Sequence, residues 1–201
     1  APKKKKTSNN LYEIYRSFAK SSIYLEKLAK QWNVNPHCLL DLGILWSGSH
    51  YLIPMYNEDT DLCGIQYRYP DGFKRCAEGS ALGLFMPEYG DESETLFITE
   101  GCSDLACLLD LGFDGIGRPN CNSCVDLICG WIDKNVYPGP QLICIADNDI
   151  PGVEGANQLC EVWNECHQDW KMDYIQPLHG KDLREFVELE GKEKVRGYLK
   201  G

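Results

Sequence analysis

Several things are scarce in this sequence, and each shortage removes a class of function. No apolar run approaches the roughly 20 residues that a membrane-spanning helix requires, so no helical span is expected. No glycine-rich loop ends in Lys-Ser or Lys-Thr, the arrangement that cradles nucleotide phosphates in ATPase motors, so motor or helicase activity is not expected. Paired metal-binding cysteines are missing: Cys121-Asn122-Ser123-Cys124 is a lone pair with no spaced second pair. Cys129, Cys160, Cys166 and the histidines His37, His50, His167 and His179 follow no ligand spacing, so no structural zinc is predicted. Positive charge is also short. Lysine and arginine number 20 against 30 acidic residues, a formal net charge of -10, the opposite of a protein that grips DNA through a broad basic face.

What remains is a globular chain of 201 residues with 43% hydrophobic residues, enough for a sizeable core. Its eleven cysteines are an odd number spread through helix- and strand-like segments, which predicts reduced thiols in a cytoplasmic protein. The opening segment, Ala1 to Asn10, is lysine-rich with no apolar stretch behind it and so reads as unexported. The few basic residues are clustered: Lys3 to Lys6 form a solvated block, and Arg68, Lys74 and Arg75 form a second group.

Along the chain, apolar residues recur at helical spacing through Leu11, Ile14, Tyr15 and Phe18, and again through Ile23, Tyr24, Leu25 and Leu28. A short helix is expected after Asn35-Pro36, ended by Gly43. From His50 to Phe85, short alternating runs (Tyr51 to Tyr56, Cys63 to Tyr69, Phe73 to Ala77) lie between turn signals and predict antiparallel strands. After Glu88, apolar strands alternate with amphipathic helices: Leu96 to Thr99 then Ser103 to Leu111, Gln141 to Ala146 then Gly152 to Asp169, Met172 to Leu178 then Asp182 to Glu190. That alternation predicts a parallel sheet covered on both faces. The expected organisation is a basic tail and first helix over 1–21, an α+β subdomain over 22–90 and an α/β domain over 91–201.

In such sheets, functional residues stand just past the carboxyl ends of the strands. Three acidic residues do so by sequence: Glu100 before Gly101, and Asp147 and Asp149 before Pro151-Gly152. Carboxylates gathered at strand ends repel one another and favour a hard divalent cation, and Mg²⁺ keeps waters that phosphates can displace. The competing account is structural, because Asp104 or Asp149 can equally cap backbone N–H groups at a helix start.

The segments Ile98-Thr99-Glu100-Gly101-Cys102-Ser103-Asp104 and Ala146-Asp147-Asn148-Asp149-Ile150-Pro151-Gly152 resemble the two signature motifs of the TOPRIM domain, shared by topoisomerases, primases and some nucleases. In DnaG-type bacterial primases these motifs read Glu-Gly-x-x-Asp and Asp-x-Asp-x-x-Gly, both matched here. Gly180-Lys181-Asp182-Leu183-Arg184-Glu185 is similar to the primase motif Gly-Lys-Asp-Pro-Asp-Glu, departing at Leu183 and at Arg184, where an acidic residue is replaced by a basic one. Upstream, Tyr24-Leu25, Leu39-Leu40, Gly43, Pro54, Gly64 and Arg68 are similar to the family's helical lead-in and antiparallel segment. The likeness spans roughly residues 22 to 190.

The resemblance implies a Rossmann-like TOPRIM sheet with helices on both faces, preceded by the small α+β subdomain. It implies synthesis of RNA primers on single-stranded DNA from ribonucleoside triphosphates, with a replicative helicase as a further partner. Glu100, Asp147 and Asp149 would hold Mg²⁺, with Mn²⁺ as a substitute, while Asp104 and Asp182 support the site or bind a further ion. Arg68, Lys74, Arg75 and Lys181 would contact template or triphosphate. Two alternatives stand beside it: a TOPRIM nuclease or phosphotransferase using the same acidic site, and a nucleic-acid-binding accessory module without turnover. A topoisomerase is not expected, since no tyrosine is placed as its nucleophile and the chain is too short to form its gate.

Overall fold

The structure, a computed structural model, describes residues 15, 22–88, 93–121 and 123–201. The Lys3 to Lys6 block, the first expected helix apart from Tyr15, and most of the polar stretch around Gly90 lie outside the described residues.

Helix α1 (Ser22–Trp32) buries Leu25, Leu28, Ala29 and Trp32, one face at i, i+3, i+4 and i+7. Helix α2 (Pro36–Asp41) starts where the side chain of Asn35 accepts the backbone N–H of His37 and proline fills the first turn. Four strands follow, β1 (Leu45–Trp46), β2 (Tyr51–Tyr56), β3 (Leu62–Arg68) and β4 (Lys74–Cys76), forming an antiparallel sheet in that order. Alternation splits its side chains: Tyr51, Ile53 and Met55 face the helices, whereas Leu52 and Ile65 pack with Leu45 and Ala77 on the other face.

The second sheet is parallel. It comprises β5 (Thr95–Glu100), β6 (Asp114–Arg118), β7 (Gln141–Ile145) and β8 (Met172–Ile175) in the order β6-β5-β7-β8. Its connections are α3 (Cys102–Asp110), α4 (Val125–Asn135) and α5 (Ile150–Cys166), and α6 (Leu183–Glu190) and α7 (Lys192–Lys200) complete the fold. Phe97, Ile143 and Ile145 pack against α3, α6 and α7, in one core with α1, α2 and the inner face of the antiparallel sheet. Ile98, Leu142 and Cys144 pack against Ile128 and Ile132 of α4 and Ala156, Leu159 and Trp163 of α5. Single bridges, Tyr56 to Leu84 and Phe85 to Gly117, link the two sheets.

The fold is thus mixed α/β, with a parallel sheet between helices and an antiparallel sheet beside it. Several boundaries differ from the sequence expectation. Helix α5 begins at Ile150, not Gly152, because Asp149 caps it, and it ends at Cys166. Strand β8 stops at Ile175, and α6 starts after Asp182, which is its cap. The pairing β6–α4 lies wholly in a stretch the sequence reading passed over. Gly115 and Gly117 weaken strand propensity there, yet Gly115 is required, since a Cβ on it would lie 2.5 Å from Leu108 and 2.6 Å from the Phe97 carbonyl oxygen, and a Cβ on Gly117 would sit a tight 3.1 Å from the Gly101 carbonyl oxygen. Among the described residues no helix is long and apolar enough to cross a membrane.

Candidate active site

From β5 the chain passes through α3 to β6 on one side, then through α4 to β7 on the other side of β5. The reversal opens a crevice at the carboxyl ends of β5 and β7, the place where parallel sheets bind ligands. Glu100 ends β5, and Asp147 and Asp149 lie just beyond β7, so adjacent strands carry all three to one rim.

Gly101, with φ of 86°, turns the chain sharply after Glu100 into α3. The Glu100 Oε2 atom is buried without a hydrogen-bond partner. Burial raises the Glu100 carboxyl, Arg118 opposes that shift and Asp149 adds to it. Asp147 is half-buried, and burial, Glu100 and Asp182 together push its carboxyl up to about 7. A Cβ on Gly152 would fall 2.8 Å from that of Asp147, so glycine is what lets α5 start beneath it.

Asp149 has a different job. Its Oδ1 accepts the backbone N–H of Gly152 at 2.9 Å, capping α5, and its Oδ2 lies 3.1 Å from Lys181 Nζ. Those contacts hold its carboxyl below the usual range, the cap first and the lysine second. Asp104, only 6% exposed, stands on the first turn of α3. Its Oδ1 accepts the Arg184 backbone N–H at 3.2 Å and faces Arg184 Nε at 3.7 Å. Asp182 caps α6 through the Glu185 N–H at 2.8 Å and takes Arg184 Nη2 at 3.1 Å. Arg184, the departure from the primase motif, therefore supplies a resident cation between two carboxylates.

Two contributors escaped the sequence reading. Asn148 ties the loop after β8 to the end of β7: its Nδ2 donates to the carbonyls of Pro177 at 2.7 Å and Gly180 at 2.8 Å, and its backbone N–H donates to that of Lys181 at 2.7 Å. Gln176 Nε2 donates to Asn148 Oδ1 at 2.8 Å. Arg118 is fully buried at the end of β6, in register with Glu100, and its Nη1 donates to the carbonyls of Cys121 and Gly155. An amide inside Asp147-Asn148-Asp149 was a usable signal for Asn148. Nothing local marked Arg118, because the Gly-Ile-Gly-Arg run does not read as a strand.

The basic residues divide. Arg68 and Lys74 are cross-strand partners on the inner face of the antiparallel sheet. Both pKa values are lowered by loss of water, Arg68 then by the nearby Arg184 and Lys74 then by Arg68. Arg75 points to the opposite face, over Tyr67 and Tyr69. Lys181 joins the carboxylates through Asp149. A cavity of about 1000 Å³ lined by Tyr56, Met86, Leu96, Ile116, Trp131 and Tyr137 lies at the other, amino-terminal edge of the parallel strands and contains none of these groups.

No protein-family profile matches the chain and no curated protein matches it at significance. Solved structures do. The DnaG catalytic core superposes with a TM-score of 0.69 at 13% identity, covering 96% of this chain and 78% of that one. The chain has the fold of a DnaG-type primase catalytic core. A DnaG primase catalytic domain bound to single-stranded DNA gives 0.59 at 18% identity, covering 96% and 73%. The primase fragment of the bacteriophage T7 primase-helicase gives 0.65 at 15%, covering 82% and 69%. At these identities the primase-core likeness is one of fold, and the chemistry must be argued from the side chains.

Those side chains fit a hard divalent ion by chemistry: the donors are carboxylate oxygens, one is buried and unpartnered, and the carboxyls of Glu100, Asp104 and Asp147 are raised by burial and then by neighbouring carboxylates. Their placement sets a limit. Among the described residues, no three Asp, Glu, His or Cys groups gather closely enough to hold a metal by themselves.

Proposed function

We propose that this chain is a primase-like nucleotidyltransferase core of the TOPRIM type, making RNA primers on single-stranded DNA during replication. The observation that carries the reading is the unpartnered Glu100 Oε2 beside the raised Asp147 carboxyl at the switch point of a sheet whose structural likeness is to primase cores. Glu100 and Asp147 would hold Mg²⁺, or Mn²⁺ in its place, and a small hard ion bound by one or two carboxylates takes its remaining ligands from water and substrate phosphate. The ion supplies positive charge to the triphosphate when bound.

The protein's own groups do the positioning. Asp149 orients Lys181, whose ammonium faces the carboxylate rim at 3.1 Å and is available to an incoming phosphate. Asn148 keeps the loop of Lys181 against the strand end, so both move as one unit. Arg184, held by Asp104 and Asp182, with Arg68 and Lys74 in its field, lines the adjoining side with positive charge suited to phosphate oxygens. Arg118 opposes the rise in the Glu100 pKa and so favours the ionised form of that carboxyl.

The similar structures include a primase domain on single-stranded DNA and the primase part of a primase-helicase. Template strand and helicase are accordingly the proposed partners. The decisive experiment incubates the protein with a single-stranded template and ribonucleoside triphosphates, comparing Mg²⁺ and Mn²⁺. Template-dependent short RNA is expected. Cleavage of the strand without synthesis would overturn the polymerase reading in favour of a nuclease at the same carboxylates.

A further inference from the structure

The outer face of the antiparallel sheet carries a second group of side chains that the carboxylate site does not use. His50 lies 4.4 Å from Tyr67 and 5.0 Å from Tyr69, ring centre to ring centre, and Tyr69 lies 5.8 Å from Phe73. Arg75 reaches over both tyrosines, its guanidinium 5.6 and 5.7 Å from their ring centres. Phe73 is 61% exposed, Arg75 is exposed, and His50, Tyr67 and Tyr69 are half-buried, Tyr67 at the edge of the cluster of Leu45, Leu52 and Ile65.

Two further observations point to what would cover them. None of Arg68, Lys74 and Arg75 makes an ion pair among the described residues, in a chain whose formal net charge is -10. Three cations on two neighbouring strands, Arg68 and Arg75 held over rings rather than by carboxylates, complement a polyanion amid that acidic excess. Lys74 and Arg75 are also consecutive on strand β4, so their side chains point to opposite faces. Lys74 lies in the field of Asp104 and Arg184 at the carboxylate site, and Arg75 lies among the rings. A chain crossing β4, at the edge of its sheet, passes from the one to the other.

We propose that His50, Tyr67, Tyr69, Phe73 and Arg75 form a stacking platform for the unpaired bases of a single nucleic-acid strand whose phosphates run toward Lys74 and Arg68. The proposal rests on the reading of the chain as one that works on a single-stranded template, and extends it to a surface outside the carboxylate site. Every base has a π-face, so such a platform tolerates sequence, whereas a duplex hides those faces. Loss of water and the neighbouring Arg75 lower the pKa of His50, which keeps its ring uncharged at neutral pH and suited to stacking.

The test measures binding of a fluorescent oligothymidine by anisotropy over a range of salt concentrations, with a duplex of equal length as competitor. Phe73→Ala and Tyr69→Ala are expected to weaken binding by about 5- to 100-fold while leaving the salt slope unchanged. Lys74→Ala, which removes a cation the phosphates run toward, is expected to weaken it and lower the slope by about 0.7, one phosphate contact on a single strand. Phe73→Leu, which keeps bulk without a ring, should behave as Phe73→Ala and guards against a folding artefact. If both ring variants bind as the wild type does, the platform is wrong while the template reading survives. If the wild type itself binds no better than it binds the duplex, the platform and the single-strand reading fail together. Wild-type binding that the ring variants reduce, with priming activity absent, would keep the platform and sink the polymerase reading alone.

Discussion

Asp147 sits where burial and neighbouring carboxylates act on one side chain, and its pKa of about 7 measures the cost of ionising it without a cation. Because the folded-state value lies above the ordinary 3.8, the stabilising contribution is present below about pH 4 and is lost as pH rises through about 7. Asp147→Asn removes that titration. In the presence of a chelator it should leave stability nearly unchanged below about pH 4, raise it progressively between about pH 4 and 7 and raise it most at pH 8, read by thermal denaturation, while abolishing Mg²⁺-dependent activity. Asp182→Asn behaves differently, since asparagine also caps helices well and only the pairing with Arg184 is weakened. Measurable turnover should remain in it. Equal loss of activity in the two folded variants, at saturating Mg²⁺, would reverse this ranking and place Asp182 on the metal.

At the scale of elements, the crevice depends on how the ends of β5, β6 and β7 are tied to the helices that follow. Arg118 is the main tie on one side, since a single guanidinium holds the loop carbonyl of Cys121 and the α5 carbonyl of Gly155. Removing it leaves the buried loop carbonyl of Cys121 without its partner, takes a second bond from the Gly155 carbonyl, opens a cavity, and leaves Glu100 without the charge that opposes its raised pKa. Arg118→Ala should therefore cost on the order of 3 kcal/mol in urea denaturation. It should also weaken metal binding through Glu100. A variant that unfolds at the wild-type urea midpoint would show that neither acceptor depends on the guanidinium.

For the molecule as a whole, five carboxylates share one region in which Lys181 and Arg184 are the cations paired to them, inside an acidic chain. A bound divalent ion would relieve that repulsion, so it should stabilise the fold by mass action, about 2.7 kcal/mol at a hundredfold excess over Kd. Binding requires the raised Asp147 carboxyl to lose its proton, so affinity should climb as pH rises from 6 to 8. Melting curves with MgCl₂ and with NaCl at matched ionic strength check this. Identical curves in the two salts would remove the metal from the proposal.

Three of the strand–helix pairs of the parallel sheet, the alternation on the antiparallel strands and the positions of Glu100, Asp147 and Asp149 at strand ends were legible in the sequence. They depend on local periodicity and on glycine and proline punctuation, which a linear reading captures. It missed β6, where Gly115 and Gly117 answer to the close approach of Leu108, Phe97 and Phe85 rather than to strand propensity. It also gave no pairing partners. That Arg184 lies between Asp104 and Asp182, that Asp149 caps α5 while holding Lys181, and that Asn148 fastens a loop about thirty residues away are outcomes of packing. The sequence by itself determined which carboxylates would stand at strand ends, because side-chain period and turn chemistry are local. Only the tertiary structure decided which of them remain free to meet a cation, because Lys181 and Arg184 reach their partners through contacts between separate elements.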